Sequence, residues 1–368
     1  MDKPGGGRSS ALWIRSSACA HVGTADVVDI STPTGPVRRT RTAVPAGNRD
    51  AGRVQVLVTG ASGFVGGRLA PALVEEGHRV RAMTRRPEKY RGAGEAVAGD
   101  VSDEASLRSA LEGCDAAYYL VHSLGDADFV QEDAAAARSF GRAAADAGVR
   151  RIIYLGGLGE DADDLSDHLR SRREVEQLLG EGGVPVTVLR AGIVVGHGGV
   201  SWELTRQLVA HLPAMITPRW VHTRTQPIAV ADVVRYLVGV LEAPEAEGRV
   251  FEVGGPDVLE YLEMMTRVAE IQGRHMFVVP VPFLTPQLSA RWLSLVTDVD
   301  LQTGKSLIDS MTNEVVVKDD SIRQVVPFEP MGYDQAVLTA LGERAAERRE
   351  AAGDSPRHGG LLARGARS

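Results

Sequence analysis

The sequence predicts an α/β fold in which helices cover both faces of a doubly wound parallel sheet, with a smaller lobe towards the C-terminus. Short apolar runs rich in β-branched residues alternate with amphipathic helical patterns from Val54 to Arg190, which is typical of parallel sheets. A glycine-rich turn follows the first run, between Thr59 and Gly66. The alternation loosens beyond Gly196, which indicates a lobe built over the carboxyl edge of the sheet, where ligands bind.

The elements follow from the positions of these runs. The predicted strands are Val54–Val58, Arg79–Thr84, Glu95–Gly99, Ala116–Val121, Arg151–Leu155, Val186–Arg190 and Arg249–Val253. Helical spacing of apolar residues predicts helices that end before Gly77 and near Asp146, and others over Asp167–Leu179, Trp202–Leu212, Asp232–Leu241 and Leu259–Ile271.

Composition divides the chain into four segments. Residues 1–50 are rich in Ser, Thr, Pro, Gly and Arg without periodicity, so we expect a disordered extension; a transit peptide or an over-long start assignment are the alternatives. Residues 51–196 form the sheet core, and residues 197–342 hold its remaining elements and the smaller lobe. Residues 343–368 show no clear apolar stripe and are predicted to be a disordered tail.

The composition excludes several classes of function. Of 368 residues, 43% are hydrophobic and 24% are charged, as in ordinary globular proteins. The net charge of −7 argues against nucleic acid as the main partner. Two cysteines, Cys19 and Cys114, make neither a disulfide framework nor a metal site and favour a reducing, cytoplasmic location. No apolar run approaches the ~20 residues of a membrane helix.

The glycine-rich turn has the features of a phosphate-binding loop. Gly60 allows a tight turn after the strand, Gly63 allows close approach of a pyrophosphate, and Gly66 allows the helix to pack near the strand. The helix dipole and free N–H groups then favour an anion. A tight turn without ligand is the alternative. The candidate binding residues are Gly60, Ser62, Gly63, Phe64, Val65 and Gly66.

The segment Thr59-Gly-Ala-Ser-Gly-Phe-Val-Gly66 resembles the fingerprint of the short-chain dehydrogenase/reductase superfamily, in its extended and atypical branches. Within these branches, the chain resembles atypical, bacterial NAD(P)-binding proteins related to the NmrA-like regulators and to the Rossmann accessory subunit of respiratory complex I. Two segments carry this resemblance, Glu252-Val-Gly-Gly-Pro256 and Asn313-Glu-Val-Val-Val-Lys318. The resemblance covers about Val54 to Pro330 and implies a Rossmann fold with NAD(P) bound by residues 51–196.

The end of the second strand favours NADP(H) over NAD(H). An NAD enzyme of this design usually carries an acidic residue there for the ribose hydroxyls. The chain has Thr84-Arg-Arg-Pro87 instead, and the guanidinium groups of Arg85 and Arg86 suit a 2′-phosphate. Two surface arginines beside a turn are the alternative, which leaves NAD(H) open.

The resemblance implies further cofactor contacts. Asp100 would accept from the adenine amino group with Val101 packed nearby, although Asp100 also suits the opening of the next helix. The backbone at Val121 and His122 would run beside the cofactor, and a structural role is the simpler interpretation of this histidine. Ile193 lies in the segment whose backbone contacts the nicotinamide carboxamide in the superfamily.

The catalytic residues of the superfamily are not all matched. A standard member carries Tyr-x-x-x-Lys on the helix after the fifth strand and Ser at the end of that strand. Here that strand ends in glycines and the best match is His168-x-x-x-Arg172. This implies His168 as acid/base and Arg172 as cofactor anchor. The alternatives are a helix-start histidine and an arginine paired with Glu176.

These observations predict an NADP(H)-binding oxidoreductase that acts on an apolar carbonyl or a quinone-like small molecule. The apolar segments Phe277–Pro286 and Trp292–Val296 would line its pocket or pack in the core. A non-catalytic redox sensor or structural subunit with a protein partner is the alternative. A nucleotide-sugar epimerase or dehydratase ranks third because it also needs the missing Tyr and Lys. The oligomeric state stays open.

Overall fold

The computed structural model describes residues 53–121, 129–159, 166–211, 214–217, 219–280 and 309–353. The strands are β1 Gln55–Val58, β2 Arg79–Thr84, β3 Glu95–Ala98, β4 Ala116–Tyr119, β5 Arg151–Gly157, β6 Val186–Ala191, β7 Val194–Val195, β8 Ala214–Thr217, β9 Arg224–Thr225, β10 Ile228–Ala229, β11 Val250–Val253, β12 Leu259–Glu260 and β13 Phe277–Pro280. The helices are α1 Gly66–Glu75, α2 Glu104–Leu111, α3 Phe129–Asp146, α4 Asp167–Gly180, α5 Val200–His211, α6 Val230–Glu242, α7 Tyr261–Ile271, α8 Ile322–Val325 and α9 Tyr333–Ala351.

Seven parallel strands form the central sheet, in the order β11-β6-β5-β4-β1-β2-β3. Strand order reverses between β1 and β4, so the carboxyl ends of these two strands flank a crevice in which ligands of such sheets bind. The predicted fold class, a doubly wound parallel sheet, is confirmed. All seven predicted strands are present, and the last of them, β11, is the edge of this sheet.

The two faces of the sheet are covered by different helices because successive side chains of a strand point in opposite directions. Val56 and Val58 of β1 pack in the core shared with α1 and α6, whereas Leu57 packs in the core shared with α2, α3 and α4. A third cluster, around the buried Trp202, joins α5, α7 and α9 in the smaller lobe.

Helix α9 extends through residues 343–351, the beginning of the segment predicted to be a disordered tail. The sequence pattern predicts no helix here. The last buried apolar residue of α9 is Ala340, so the turns after it carry no apolar stripe that would indicate a helix. Salt bridges of Glu343, Arg344 and Glu347 hold the following turns. Residues 1–52 and 354–368 lie outside the described residues, so the disorder expected there stays a prediction.

None of the helices in the described part of the chain combines the length and hydropathy of a membrane span. Likewise, the described ranges contain no group of three or more His, Cys, Asp or Glu residues arranged to hold a metal ion. The expected cytoplasmic location stays a prediction.

Candidate cofactor site

A cavity of about 970 Å³ opens at the carboxyl ends of β1, β2, β3 and β4. The glycine turn, the turn after β2, the loop after β3 and the first half of α3 surround it. Of the predicted cofactor residues, the lining contains Gly60, Ser62, Gly63, Phe64, Val65, Gly66, Arg85, Arg86, Asp100, Val101 and Val121. The cavity thus brings together most of the predicted site.

The glycine turn closes tightly at the end of β1. Gly60 has φ +64°, a left-handed conformation that favours glycine, and its carbonyl oxygen accepts from the Gly63 N–H at 2.8 Å. A Cβ atom on Gly66 would collide with that same oxygen and lie 3.0 Å from the Ala61 Cα. The missing side chain therefore lets α1 begin directly over the turn.

Three N–H groups at this turn are available to a ligand. Among the described residues, Phe64, Val65 and Gly66 donate to no protein acceptor. They lie at the N-terminus of α1, which begins at Gly66 and where the helix dipole favours negative charge. The three glycines of the turn leave room for a ligand close to the backbone, and the three unused N–H groups can donate hydrogen bonds to it. Both features fit a diphosphate.

A basic surface forms one end of the cavity, where the adenosine half of a dinucleotide would lie if its diphosphate bound the glycine turn. Arg85 and Arg86 follow β2, and Lys89 joins them in the lining because the 3₁₀ helix Pro87–Lys89 turns the chain back. Sequence reasoning missed Lys89. The signal was the proline after Arg86, since proline commonly opens such turns.

Asp100 faces this basic surface from the loop after β3. Its Oδ1 accepts from the Ser102 N–H at 3.0 Å and from the Ser102 hydroxyl at 2.7 Å. These bonds, with a smaller contribution from the Arg85 charge, lower the pKa of Asp100. The group is therefore an ionised acceptor at neutral pH.

The opposite end of the cavity lies between β4, α3 and α4. Leu120, Val121, Asp133 and Arg172 are among its lining residues. His122 lies outside the described residues. The structure does not bring Ile193 into the lining; its side chain is buried in the Trp202 cluster of the lobe.

Arg172 enters the cavity wall from α4 and is held by a tyrosine. Its Nη1 donates to the Tyr154 hydroxyl at 3.2 Å, and burial raises the pKa of this tyrosine. The alternative pairing with Glu176 is wrong, because that carboxylate binds Arg173 and Arg190 instead. Tyr154 was missed because an apolar strand pattern predicts only a core role for its ring.

His168 lies in the first turn of α4, and the cavity lining does not include it. Burial, and then the neighbouring Arg172 charge, lower the pKa of His168 to about 4. The imidazole is therefore neutral near pH 7 and is a poor proton donor there. Its predicted acid/base role stays a prediction.

Because the imidazole of His168 is largely buried, we expect the free energy of unfolding to depend on pH. The unfolded chain binds a proton near pH 6.5, whereas the folded protein binds it only near pH 4. The free energy of unfolding should therefore fall, by up to about 3 kcal/mol, as the pH drops from about 6.5 to about 4. Urea unfolding over this range checks it. His168→Gln should flatten the dependence, and the exposed His275 provides the control His275→Gln, which should preserve it.

The glycines at the end of β5 have a packing reason. A Cβ atom on Gly156 would lie 2.8 Å from Glu176 Oε1, and one on Gly157 would lie 2.9 Å from Leu169 Cδ2. Helix α4 thus packs where the superfamily serine would stand. The end of β5 accordingly offers no hydroxyl group to a substrate.

Comparison with known proteins agrees with this geometry. A family model described as NAD(P)H-binding matches residues 60–244, about half of the chain. The chain is 33% identical over 231 residues to a (4-alkanoyl-5-oxo-2,5-dihydrofuran-3-yl)methyl phosphate reductase from Streptomyces griseus, a match that spans 60% of this chain and 74% of the relative.

Two solved structures are similar in fold. An NADPH-dependent quinone oxidoreductase from Escherichia coli, complexed with NADPH, has a TM-score of 0.65 at 20% identity and covers 78% of this chain and 99% of its own. The Citrobacter sp. triphenylmethane reductase complexed with NADP(H) has a TM-score of 0.63 at 17% identity. It covers 78% of this chain and 100% of its own. At these identities the likeness establishes the shared fold alone.

Proposed function

The chain belongs to the NAD(P)H-binding family, within the atypical short-chain dehydrogenases/reductases, and from this premise we propose that it is an NADPH-dependent reductase. The basic surface opposite the glycine turn carries the proposal. It places Arg85, Arg86 and Lys89 in one wall of the cavity, where an NAD-binding protein would need an acid. The closer likeness to NmrA-like regulators stays a prediction.

Arg85→Glu is expected to raise the NADPH dissociation constant at least about tenfold and to change the NADH constant by less than about twofold. The reason is that the 2′-phosphate, which NADH lacks, would lose a charge-assisted hydrogen bond and meet a carboxylate. Titration followed by nicotinamide fluorescence checks it.

Arg91→Glu is the matched control for this prediction. Arg91 is an exposed residue two positions after Lys89; its guanidinium donates to the carbonyl oxygens of Glu88 and Tyr90, and the cavity lining does not include it. Both nucleotides should bind this variant as they bind the original protein. Equal loss of NADPH and NADH affinity in Arg85→Glu would contradict the 2′-phosphate role.

We further propose that the substrate is an apolar carbonyl or quinone-like molecule. NADPH, when bound, supplies a hydride. Arg172, held by Tyr154, would orient the ribose next to the reacting carbon, and helix α4 carries no tyrosine that could protonate a carbonyl oxygen. A conjugated acceptor fits such a site because its reduced product takes a proton from water. The apolar segments predicted to line its pocket lie mostly outside the described residues.

An acceptor panel tests the reaction class. Purified protein with NADPH should consume the cofactor with a quinone, and much more slowly with a simple aliphatic ketone, as measured by the loss of reduced-nicotinamide absorbance. NADPH binding without turnover on any acceptor would instead support the second candidate, a non-catalytic redox sensor or subunit. One observation favours that candidate: helix α4 carries no Tyr-x-x-x-Lys pair.

A further inference from the structure

Arg68, in the first turn of α1, connects three parts of the molecule. Its Nη1 donates to the Phe64 carbonyl oxygen at 2.9 Å, and its Nη2 donates to the His197 carbonyl oxygen at 2.9 Å. The same Nη2 forms a salt bridge with Glu343 Oε2 of α9 at 2.8 Å. One guanidinium group therefore joins the glycine turn, the turn after β7 and the C-terminal helix.

Phe64 makes the same connection through its ring. A Cβ atom on Gly199 would lie 2.8 Å from Phe64 Cζ, so the ring packs directly on the glycine backbone of the turn after β7. The Arg68 guanidinium lies 4.9 Å from the ring centroid, within the range of a cation–π contact. The backbone of Phe64 lines the cavity while its side chain is fixed on the other side.

Helix α9 reinforces this junction with further charges. His197 Nδ1 lies 3.1 Å from Glu203 Oε1, and its Nε2 lies 2.6 Å from Glu347 Oε2. Arg344 donates to Glu203 at 2.9 Å. Helix α9 thus contacts the turn after β7 through Glu347 and the start of α5 through Arg344. Its Glu343 contacts Arg68 next to the glycine turn.

We propose that Arg68 is a positioning residue for the cofactor and that α9 acts on the glycine turn through it. By fixing the Phe64 carbonyl, Arg68 fixes the peptide plane that carries the unused Val65 N–H, and both residues line the cavity. An exposed ion pair by itself contributes little, and Arg68 and Glu343 retain 31% and 40% exposure. The role of Glu343 is therefore to orient the guanidinium towards the two carbonyl oxygens. This inference rests on the proposed function, since the anion is the cofactor diphosphate.

The test compares Arg68→Met, Glu343→Gln and the double variant. Arg68→Met should raise the NADPH dissociation constant about fivefold, and Glu343→Gln about twofold. In the Arg68→Met background, Glu343→Gln should have no further effect, because Glu343 acts through the guanidinium. Hydrogen exchange without cofactor should become faster in the peptide covering residues 60–69 in both single variants.

Arg267→Met is the matched control, because Arg267 ties α7 to the same helix α9 through Asp334 at 3.6 Å, far along the helix from Glu343. It should alter neither the NADPH constant nor the exchange of residues 60–69. Unchanged binding in Arg68→Met, or additive effects in the double variant, would overturn the inference. Failure of the unaltered protein to bind NADPH would overturn the proposed function as well, and unchanged exchange would overturn the positioning role independently of the cofactor.

Discussion

Gly66→Ala is expected to weaken NADPH binding at least about tenfold and to lower the free energy of unfolding by about 1–3 kcal/mol. The new Cβ would collide with the Gly60 carbonyl oxygen and lie 2.8 Å from the Gly60 carbonyl carbon. Both partners are backbone atoms at the end of a buried strand, so no side-chain rotation relieves the contact. Helix α1 must move away from the turn, and the N–H groups of the phosphate cradle move with it.

The neighbouring glycine supplies a close control. A Cβ atom on Gly67 would find its nearest atom, the Ala61 carbonyl oxygen, at 3.7 Å, which is an ordinary contact. Gly67→Ala should therefore keep the NADPH constant within about twofold and stabilise the protein by about 0.5–1 kcal/mol, because alanine favours the helix. Fluorescence titration and urea unfolding of the two variants check both effects. Wild-type affinity in Gly66→Ala would show that the close approach at position 66 has no part in binding.

The predictions that succeeded depend on local sequence. Strands β1 to β6 follow from short, mainly apolar runs, and the glycine turn follows from eight consecutive residues between a strand and a helix. Their backbone conformations are set mainly by neighbours in the chain, such as Gly60 with its positive φ. The positions of Arg85 and Arg86 are set in the same local way, because both residues directly follow β2. Both line the cavity, as expected.

The features that were missed depend on distant parts of the chain. Arg68 and Glu343 are 275 positions apart, and no pattern in either segment indicates their contact. Tyr154 is part of an ordinary apolar strand until α4 brings Arg172 to its hydroxyl. The backbone contact that the resemblance assigns to Ile193 stays a prediction, and the side chain of this residue packs in the lobe. The cavity lining does not include His168, so the acid/base role of this residue stays a prediction.

Glu176→Gln is expected to lower the free energy of unfolding by about 3 kcal/mol or more, because it removes a negative charge from a largely buried ionic group. Its carboxylate is 7% exposed and binds Arg190 through both oxygens, with Arg190 Nη2 at 2.7 Å from Oε2. Arg173 Nη1 approaches Oε1 at 3.1 Å. The neutral amide would no longer offset the positive charges of the two guanidinium groups that Glu176 contacts.

Glu174→Gln, on the same helix, tests whether this effect is specific to the buried site. The exposed Glu174 approaches Arg138 only at 3.9 Å, so its loss should cost less than about 1 kcal/mol. Urea unfolding of both variants gives the comparison, and similar losses would contradict the argument from burial. Removing Arg190 as well, in Glu176→Leu with Arg190→Leu, should recover part of the stability, since two apolar side chains need no partner. Because Glu176 fastens α4 to β5 and β6 one turn after Arg172, the same substitution should also loosen the arginine that forms the cavity wall.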